Sequence, residues 1–150
     1  MDINAVEIDV RFNEQDEMGM VHHSVYYIWF EIARYNFAAN LLGITYENLK
    51  KSNFFVPVIH SECKYLNMVR FPDTVMVKCY YEPSEKNIIT LHYEVFSKKT
   101  GKKAAYGKTI NVFVNSNGKL LVCTPEAFKK GFKNAENNEQ YLWNKNKQIR

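Results

Sequence analysis

The sequence predicts an α+β domain in which a five-stranded antiparallel sheet wraps around one long central helix. Three observations carry this expectation. Residues 24–42 have helical spacing and are apolar on nearly every side. Five stretches rich in Val, Ile, Thr, Tyr and Phe flank that helix. Their order, one strand, the helix, then four strands, is not the regular alternation of a parallel α/β sheet.

The first strand is expected over residues 6–12, where Val6, Ile8, Val10 and Phe12 share one parity and Glu7, Asp9 and Arg11 the other. The helix follows from Ser24, placed as N-cap, to Leu42, with Gly43 as its stop. Val25, Ile28, Trp29 and Ile32 form one stripe, and Tyr26, Phe30, Ala33, Phe37 and Leu41 another. Such a helix must be buried against protein. Glu31 and Arg34, three residues apart, are expected to form a local ion pair.

Residues 46–51 read as a short helix, and strands are expected over 55–67, 74–82, 88–97 and 104–114. The segments 71–73, 82–87 and 100–102 have turn composition, so the four strands read as an antiparallel meander. A last helix is expected from Thr124 as N-cap, with Pro125 at its first helical position. The folded domain is therefore placed at 1–133. Residues 134–150 form a polar tail, apart from Tyr141, Leu142 and Trp143, that is either frayed or docked on another subunit. A sheet this aromatic is expected to self-associate as a homodimer or homotetramer.

At 150 residues and 46% hydrophobic, the chain suits one domain with its own core. No apolar run approaches a membrane span, and residues 1–5 lack the layout of a secretion signal, so a cytoplasmic protein is expected. Cys63, Cys79 and Cys123 are odd in number and contain no C-x-x-C, which argues against a disulfide framework or a zinc ribbon and suggests small buried hydrophobes. The net charge of +4, concentrated at 98–103 and 129–150, is too weak to indicate nucleic acid but suits a phosphate-bearing small molecule.

Chemistry concentrates before the long helix. The run Asp16-x-x-Gly19-Met20-Val21-His22-His23-Ser24-x-Tyr26, followed by Trp29-Phe30-Glu31-x-Ala33-Arg34, resembles the hotdog-fold acyl-CoA thioesterases of the 4-hydroxybenzoyl-CoA thioesterase-like family. Tyr65-Leu66-x-x-Val69-Arg70-Phe71-x-Asp73 and Ala105-x-Gly107-x-Thr109-x-Asn111-Val112-Phe113-Val114 extend the resemblance over about residues 6–132. It implies a thioester hydrolase with Asp16 as the catalytic carboxylate, His23 beside it and Tyr26 on the substrate. It implies no cofactor other than the coenzyme A of the substrate itself. It also implies that coenzyme A lies at a subunit interface, with Arg70, Lys102 and Lys103 as candidates for its phosphates.

Physical reasoning points the same way. Thioester hydrolysis needs a base toward water or a nucleophile, and a group to hold the developing oxyanion. A buried helix N-terminus offers unpaired N–H groups and a partial positive charge, here at His23 and Ser24. Gly19 lets the loop turn sharply and a substrate approach its backbone. Asp16 as base and Asp16 as nucleophile both remain open.

The other candidates are weaker. Glu17 reads as a solvated acid, and His22 falls at an aromatic position and is expected to pack. Adjacent histidines without H-x-x-x-H do not suggest a metal site. His60 and Cys63 point to opposite faces of a strand. Glu31 is the reserve carboxylate, since some hotdog thioesterases carry theirs on the central helix. Gln15, Met18, Met20 and Val25 depart from the family pattern and bear on acyl selection. The alternatives are an acyl-carrier-protein thioesterase and a non-catalytic acyl-CoA-binding or interaction module. No G-x-S-x-G supports a serine hydrolase, and the Asn-Pro motif of hotdog hydratases does not occur.

Overall fold

The structure, a computed structural model, describes residues 2–145. Strand β1 (Ala5–Asp9) leads through a 3-10 turn to helix α1 (Val25–Phe37), which continues as a π-helical turn over Ala38–Leu42. Helix α2 (Tyr46–Lys51) and strands β2 (Phe54–Phe55), β3 (Val58–Tyr65), β4 (Thr74–Glu82), β5 (Ile88–Ser97), β6 (Lys103–Val112) and β7 (Val114–Asn115) follow. Helix α3 (Glu126–Glu136) and a 3-10 turn at Glu139–Tyr141 end the described chain. The main sheet is antiparallel with order β1-β4-β5-β6-β3, and β2 pairs with β7.

One row of side chains shows how sheet and helix fit. Cys79, Tyr93, Gly107 and Cys63 pair across β4, β5, β6 and β3, so all four face α1. Phe30 of α1 stacks on Tyr93 with ring centroids 4.4 Å apart and planes at 11°. A Cβ at Gly107 would lie 2.6 Å from the Phe30 ring and 2.4 Å from the Glu62 carbonyl oxygen. Only glycine admits the helix this closely. Val75, Val77, Val95 and Ala105 complete the apolar floor, each fully buried.

Several expectations are corrected. Only three of the four strands form the expected meander: β4, β5 and β6 pair in chain order, but the other edge of β4 is taken by β1, and β3 pairs with β6 instead. The segment leaving β3 is no tight turn: the N–H groups of Leu66 and Asn67 still donate to Ala104 O, and Val69 O accepts from Val21 N at 2.8 Å. It thus passes beneath the entry to α1 before β4 begins. The helix is buried on one side only, since Ile28 is 52% and Ile32 36% exposed. Gly43 ends it as expected, in the left-handed conformation at φ 67°.

Ser24 stands at the N-cap position but makes no side-chain cap, because its hydroxyl bonds the His22 ring. Arg34 does not pair with Glu31: it turns inward and donates to the Tyr93 hydroxyl at 3.4 Å. Pro125 rather than Thr124 is the N-cap of α3. Cys79 is buried, but Cys63 is half-buried and Cys123 exposed.

The boundary placed after residue 133 falls inside α3, and the chain beyond it covers its own sheet. Trp143 N–H donates to Tyr81 O at 2.8 Å, and the Trp143 ring stacks on His92 at 4.1 Å. This explains why β5 is buried on both faces. The end of the expected tail, 146–150, lies outside the described residues.

Candidate active site

The loop between β1 and α1 closes on itself through Asp16. Its backbone N–H donates to Met20 O at 2.7 Å, its C=O accepts from Gly19 N at 3.1 Å, and its Oδ1 accepts from Met18 N at 2.8 Å and Met20 N at 3.3 Å. Gly19 makes the reversal possible at φ 71°. Among the described residues nothing donates to Oδ2. One oxygen of the carboxylate thus holds the loop while the other is left available.

Arg70 braces this loop from the outside, its Nη1 donating to Met18 O at 3.0 Å and Gly19 O at 3.1 Å. The loop's return is fixed by His22 N–H on Glu14 O and by Val21 N–H on Val69 O, both at 2.8 Å.

The entry to α1 decides which N–H groups are available. His22 O accepts from Val25 N at 3.0 Å, and in a trans peptide the next N–H points the opposite way. His23 N–H therefore points out of the helix end and has no acceptor among the described residues. His23 O accepts from the Tyr65 hydroxyl at 2.8 Å, which turns Ser24 N–H toward His22 Nδ1 at 3.2 Å. Nδ1 of His22 also accepts from Ser24 Oγ at 2.7 Å. The expected pair of donors is thus reduced to one, since the Ser24 N–H is occupied. His22 does not pack in the core: it is exposed, lies 4.2 Å from the His23 ring and holds Ser24.

Asp16 and His23 border a cleft of about 320 Å³, with Tyr26, Tyr65, Leu66 and Met68 among its walls, and also a shallower hollow of about 540 Å³ shared with Gln15, Glu17, Met18 and His22. Tyr26 is buried and meets Tyr65 edge to face at 5.1 Å. Burial pushes the Tyr26 hydroxyl up to about 12 and the Cys63 thiol up to about 11, so both stay protonated near neutrality. Asn67 and Met68 also border a neighbouring hollow of about 340 Å³ that holds Lys99, Lys102 and Arg70. A larger hollow, about 630 Å³, lies on the outer face of the sheet, where its acids are paired: Glu82 with His92, and Glu62 with Lys108 at 3.6 Å. It shares no lining residue with the Asp16 cleft.

The remaining sequence candidates fall as follows. Lys102 is exposed in the cationic hollow, whereas Lys103 is half-buried and ion-paired to Glu94 across the sheet's outer face. Arg70 is committed to the loop carbonyls. Glu31 is exposed on α1 and does not line the Asp16 cleft. His60 pairs with Glu62 at 3.0 Å at the sheet edge. Among the described residues there is no group of three or more His, Cys, Asp and Glu placed to hold a metal, and no helix long and apolar enough to cross a membrane. Sequence reasoning gave no role to Tyr65 or Lys99. Tyr65 stood inside a quoted motif, but nothing in its spacing revealed the bond to His23.

Residues 10–132 match the family model of the thioesterase-like superfamily. The chain belongs to that superfamily. It is thus a thioester hydrolase by class, and its sheet and helix form the hotdog fold. This superfamily member is 30% identical over 82 residues to "Putative acyl-CoA thioesterase YneP" of Bacillus subtilis (strain 168), a match spanning 55% of this chain and 59% of that relative. A DHNA-CoA thioesterase from Staphylococcus aureus superposes with TM-score 0.78 at 27% identity, covering 91% of this chain and 89% of that one. The AQ1494 protein of Aquifex aeolicus is similar with TM-score 0.77 at 28% identity, covering 85% and 97%.

Proposed function

We propose that this superfamily member hydrolyses an acyl-CoA thioester to the free acid and coenzyme A in the cytoplasm, working at the Asp16 cleft. The observation that carries the proposal is that Asp16, whose Oδ2 is unbonded among the described residues, and His23, whose N–H has no acceptor there, line the same largely apolar cleft. The thioester carbonyl oxygen accepts from His23 N–H, where the helix dipole adds to the stabilisation of the oxyanion. The Asp16 carboxylate either takes a proton from the attacking water or attacks the carbonyl itself. In both routes the tetrahedral intermediate collapses with loss of the coenzyme A thiolate, which is then protonated; in the nucleophilic route this leaves a mixed anhydride on Asp16, which water hydrolyses to release the acid and regenerate the carboxylate.

Tyr26 and Met68 provide surface for the acyl group or the pantetheine arm. The arm leads past Asn67 toward Lys99 and Lys102, whose charges suit the phosphates of coenzyme A. The names of the Bacillus subtilis and Staphylococcus aureus relatives support coenzyme A as the carrier. The functional unit is a homodimer formed along the β3 edge, where Val58, Ile59 and the neighbouring Ile28 are exposed.

The test is thiol release from a panel of short, medium, long and aromatic acyl-CoAs, comparing wild type with Asp16→Asn. The asparagine keeps an oxygen for the Met18 and Met20 N–H groups, so the loop stays closed while the carboxylate is lost. A fall of about 100-fold, or roughly 2.7 kcal/mol of transition-state stabilisation, is expected. Unchanged turnover in the variant would remove Asp16 from the chemistry.

A further inference from the structure

A second cavity lies between the C-terminal half of α1 and the inner face of β5 and β6, closed by α2 and α3. It holds about 80 Å³, with Phe37, Leu42, Leu91 and Phe128 among its apolar walls. Measured along the helix, Arg34 is ten residues past Ser24, about 15 Å at ~1.5 Å per residue. The Asp16 cleft shares no lining residue with it.

Two polar groups in this lining are incompletely satisfied. Asn111 is 2% exposed; its Nδ2 donates to Val56 O at 2.9 Å, which leaves Oδ1 as a buried acceptor with no partner. A buried acceptor without a donor has lost its water without replacement, so it favours a ligand that brings a donor. Arg34 is half-buried at the same cavity, and the one hydrogen bond of its guanidinium among the described residues is to the neutral Tyr93 hydroxyl. Among the described residues no carboxylate lines the cavity or pairs with this guanidinium, whose fork geometry suits one. The helix itself is altered here, since Ala38 and Leu42 lie in the π-helical turn and both line the cavity. Single π turns of this kind occur frequently at functional sites.

We infer that this cavity is a binding site for a short hydroxycarboxylate, separate from the thioester cleft. The carboxylate pairs with Arg34 at the half-buried mouth, the hydroxyl donates to Asn111 Oδ1, and the carbon chain fills the apolar end. The size agrees with such a ligand: 80 Å³ is about half the ~150 Å³ that accepts benzene, so two to four carbons fit once the carboxylate stays at the mouth. Arg34 supplies the charge-assisted bond and Asn111 the selectivity for a donor, because a ligand without one leaves Oδ1 unpaired.

The test titrates lactate, propionate and propane-1,2-diol into the full chain, following the Asn111 side-chain amide and the Arg34 Nε–H by NMR. Saturable shifts at both groups are expected with lactate. Affinity falls at least tenfold for propionate, which lacks the hydroxyl, and for the diol, which lacks the carboxylate. Arg34→Gln weakens lactate at least tenfold, Ala38→Leu fills the cavity and abolishes binding, and Asp16→Asn leaves it unchanged. Absence of saturable shifts, equal affinity for the three probes, or binding that survives both Arg34→Gln and Ala38→Leu would overturn the inference and leave a cavity that holds water alone.

Discussion

The Tyr65 hydroxyl, at the end of an edge strand, donates to the His23 carbonyl oxygen at 2.8 Å, at the first turn of the central helix. The two residues are 42 apart in sequence. Their bond fixes the peptide plane that leads into α1 and turns the Ser24 N–H toward His22. The proposed oxyanion donor at His23 belongs to the adjoining peptide, so its direction depends on this contact.

Replacing Tyr65 with phenylalanine keeps the ring against Tyr26 and removes the bond to His23, together with the hydroxyl's interaction with the Cys63 thiol. The proposed mechanism then predicts that kcat falls about tenfold, or roughly 1.4 kcal/mol, while KM changes little. Steady-state kinetics on the best acyl-CoA separates the two terms. Equal loss in KM alone would show that Tyr65 binds substrate without aiming the donor.

Gly19→Ala tests the loop on the other side of the cleft. Alanine at a positive φ costs about 1–2 kcal/mol, and its Cβ would stand 3.3 Å from Arg70 Nη1, disturbing the brace on the loop. The expected outcome is a Tm lowered by a few degrees together with reduced turnover. Arg70→Met should reduce turnover in the same direction with normal φ at Gly19, since both changes loosen Asp16.

Much of the fold was legible because it rests on local periodicity. The strands over 74–82 and 88–97 follow from β-branched and aromatic runs bounded by turns, and the structure places β4 and β5 at those positions. Pairing order was not legible. Phe71-Pro72-Asp73 has turn composition, yet it ends a crossing segment, and composition carries no information about which edge of β4 is free. Arg34 shows a related limit: an i,i+3 partner was available at Glu31, but the buried Tyr93 hydroxyl, in a distant strand, took the guanidinium instead. At the site, Asp16, Gly19 and His23 were legible through one contiguous motif. Tyr65 and Lys99 were not, because only the folded sheet brings the end of β3 to the cleft and the turn between β5 and β6 to the hollow beside it.

Gly107→Ala probes the contact between sheet and helix. Its Cβ has no room against the Glu62 backbone or the Phe30 ring, and overpacking of this kind costs about 1–3 kcal/mol or more. Denaturant unfolding should show the loss in the midpoint at unchanged slope. A neutral result would mean that α1 can lift off the sheet without penalty.

The β3 edge predicts assembly. Ile59 is 61% exposed on a strand with one unpaired side, a surface that proteins seldom leave open. Ile59→Lys should shift the protein from dimer to monomer in sedimentation velocity, and activity should fall with it if the coenzyme A site spans two subunits. A wild-type chain that sediments as a monomer at tens of micromolar would exclude this edge as the interface.

The His92 contact with Glu82 and Trp143 makes stability depend on pH. Burial is the larger influence and pushes His92 below the ordinary histidine range; Lys108 acts in the same direction, while the bond and charge of Glu82, with Glu62 beyond it, oppose them. The folded-state value therefore lies below the unfolded one, near about 6.5. Between those two values the unfolded chain binds more protons, so this contribution is fully present above about pH 6.5 and is lost as pH falls toward the folded value. Chemical denaturation from about pH 7.5 down to about pH 5 should show that decline. His92→Gln should flatten it over the same interval, with Asp and Glu titration setting in only at lower pH. A wild-type profile that is level through this window would show that the Glu82 carboxylate, rather than burial, governs His92.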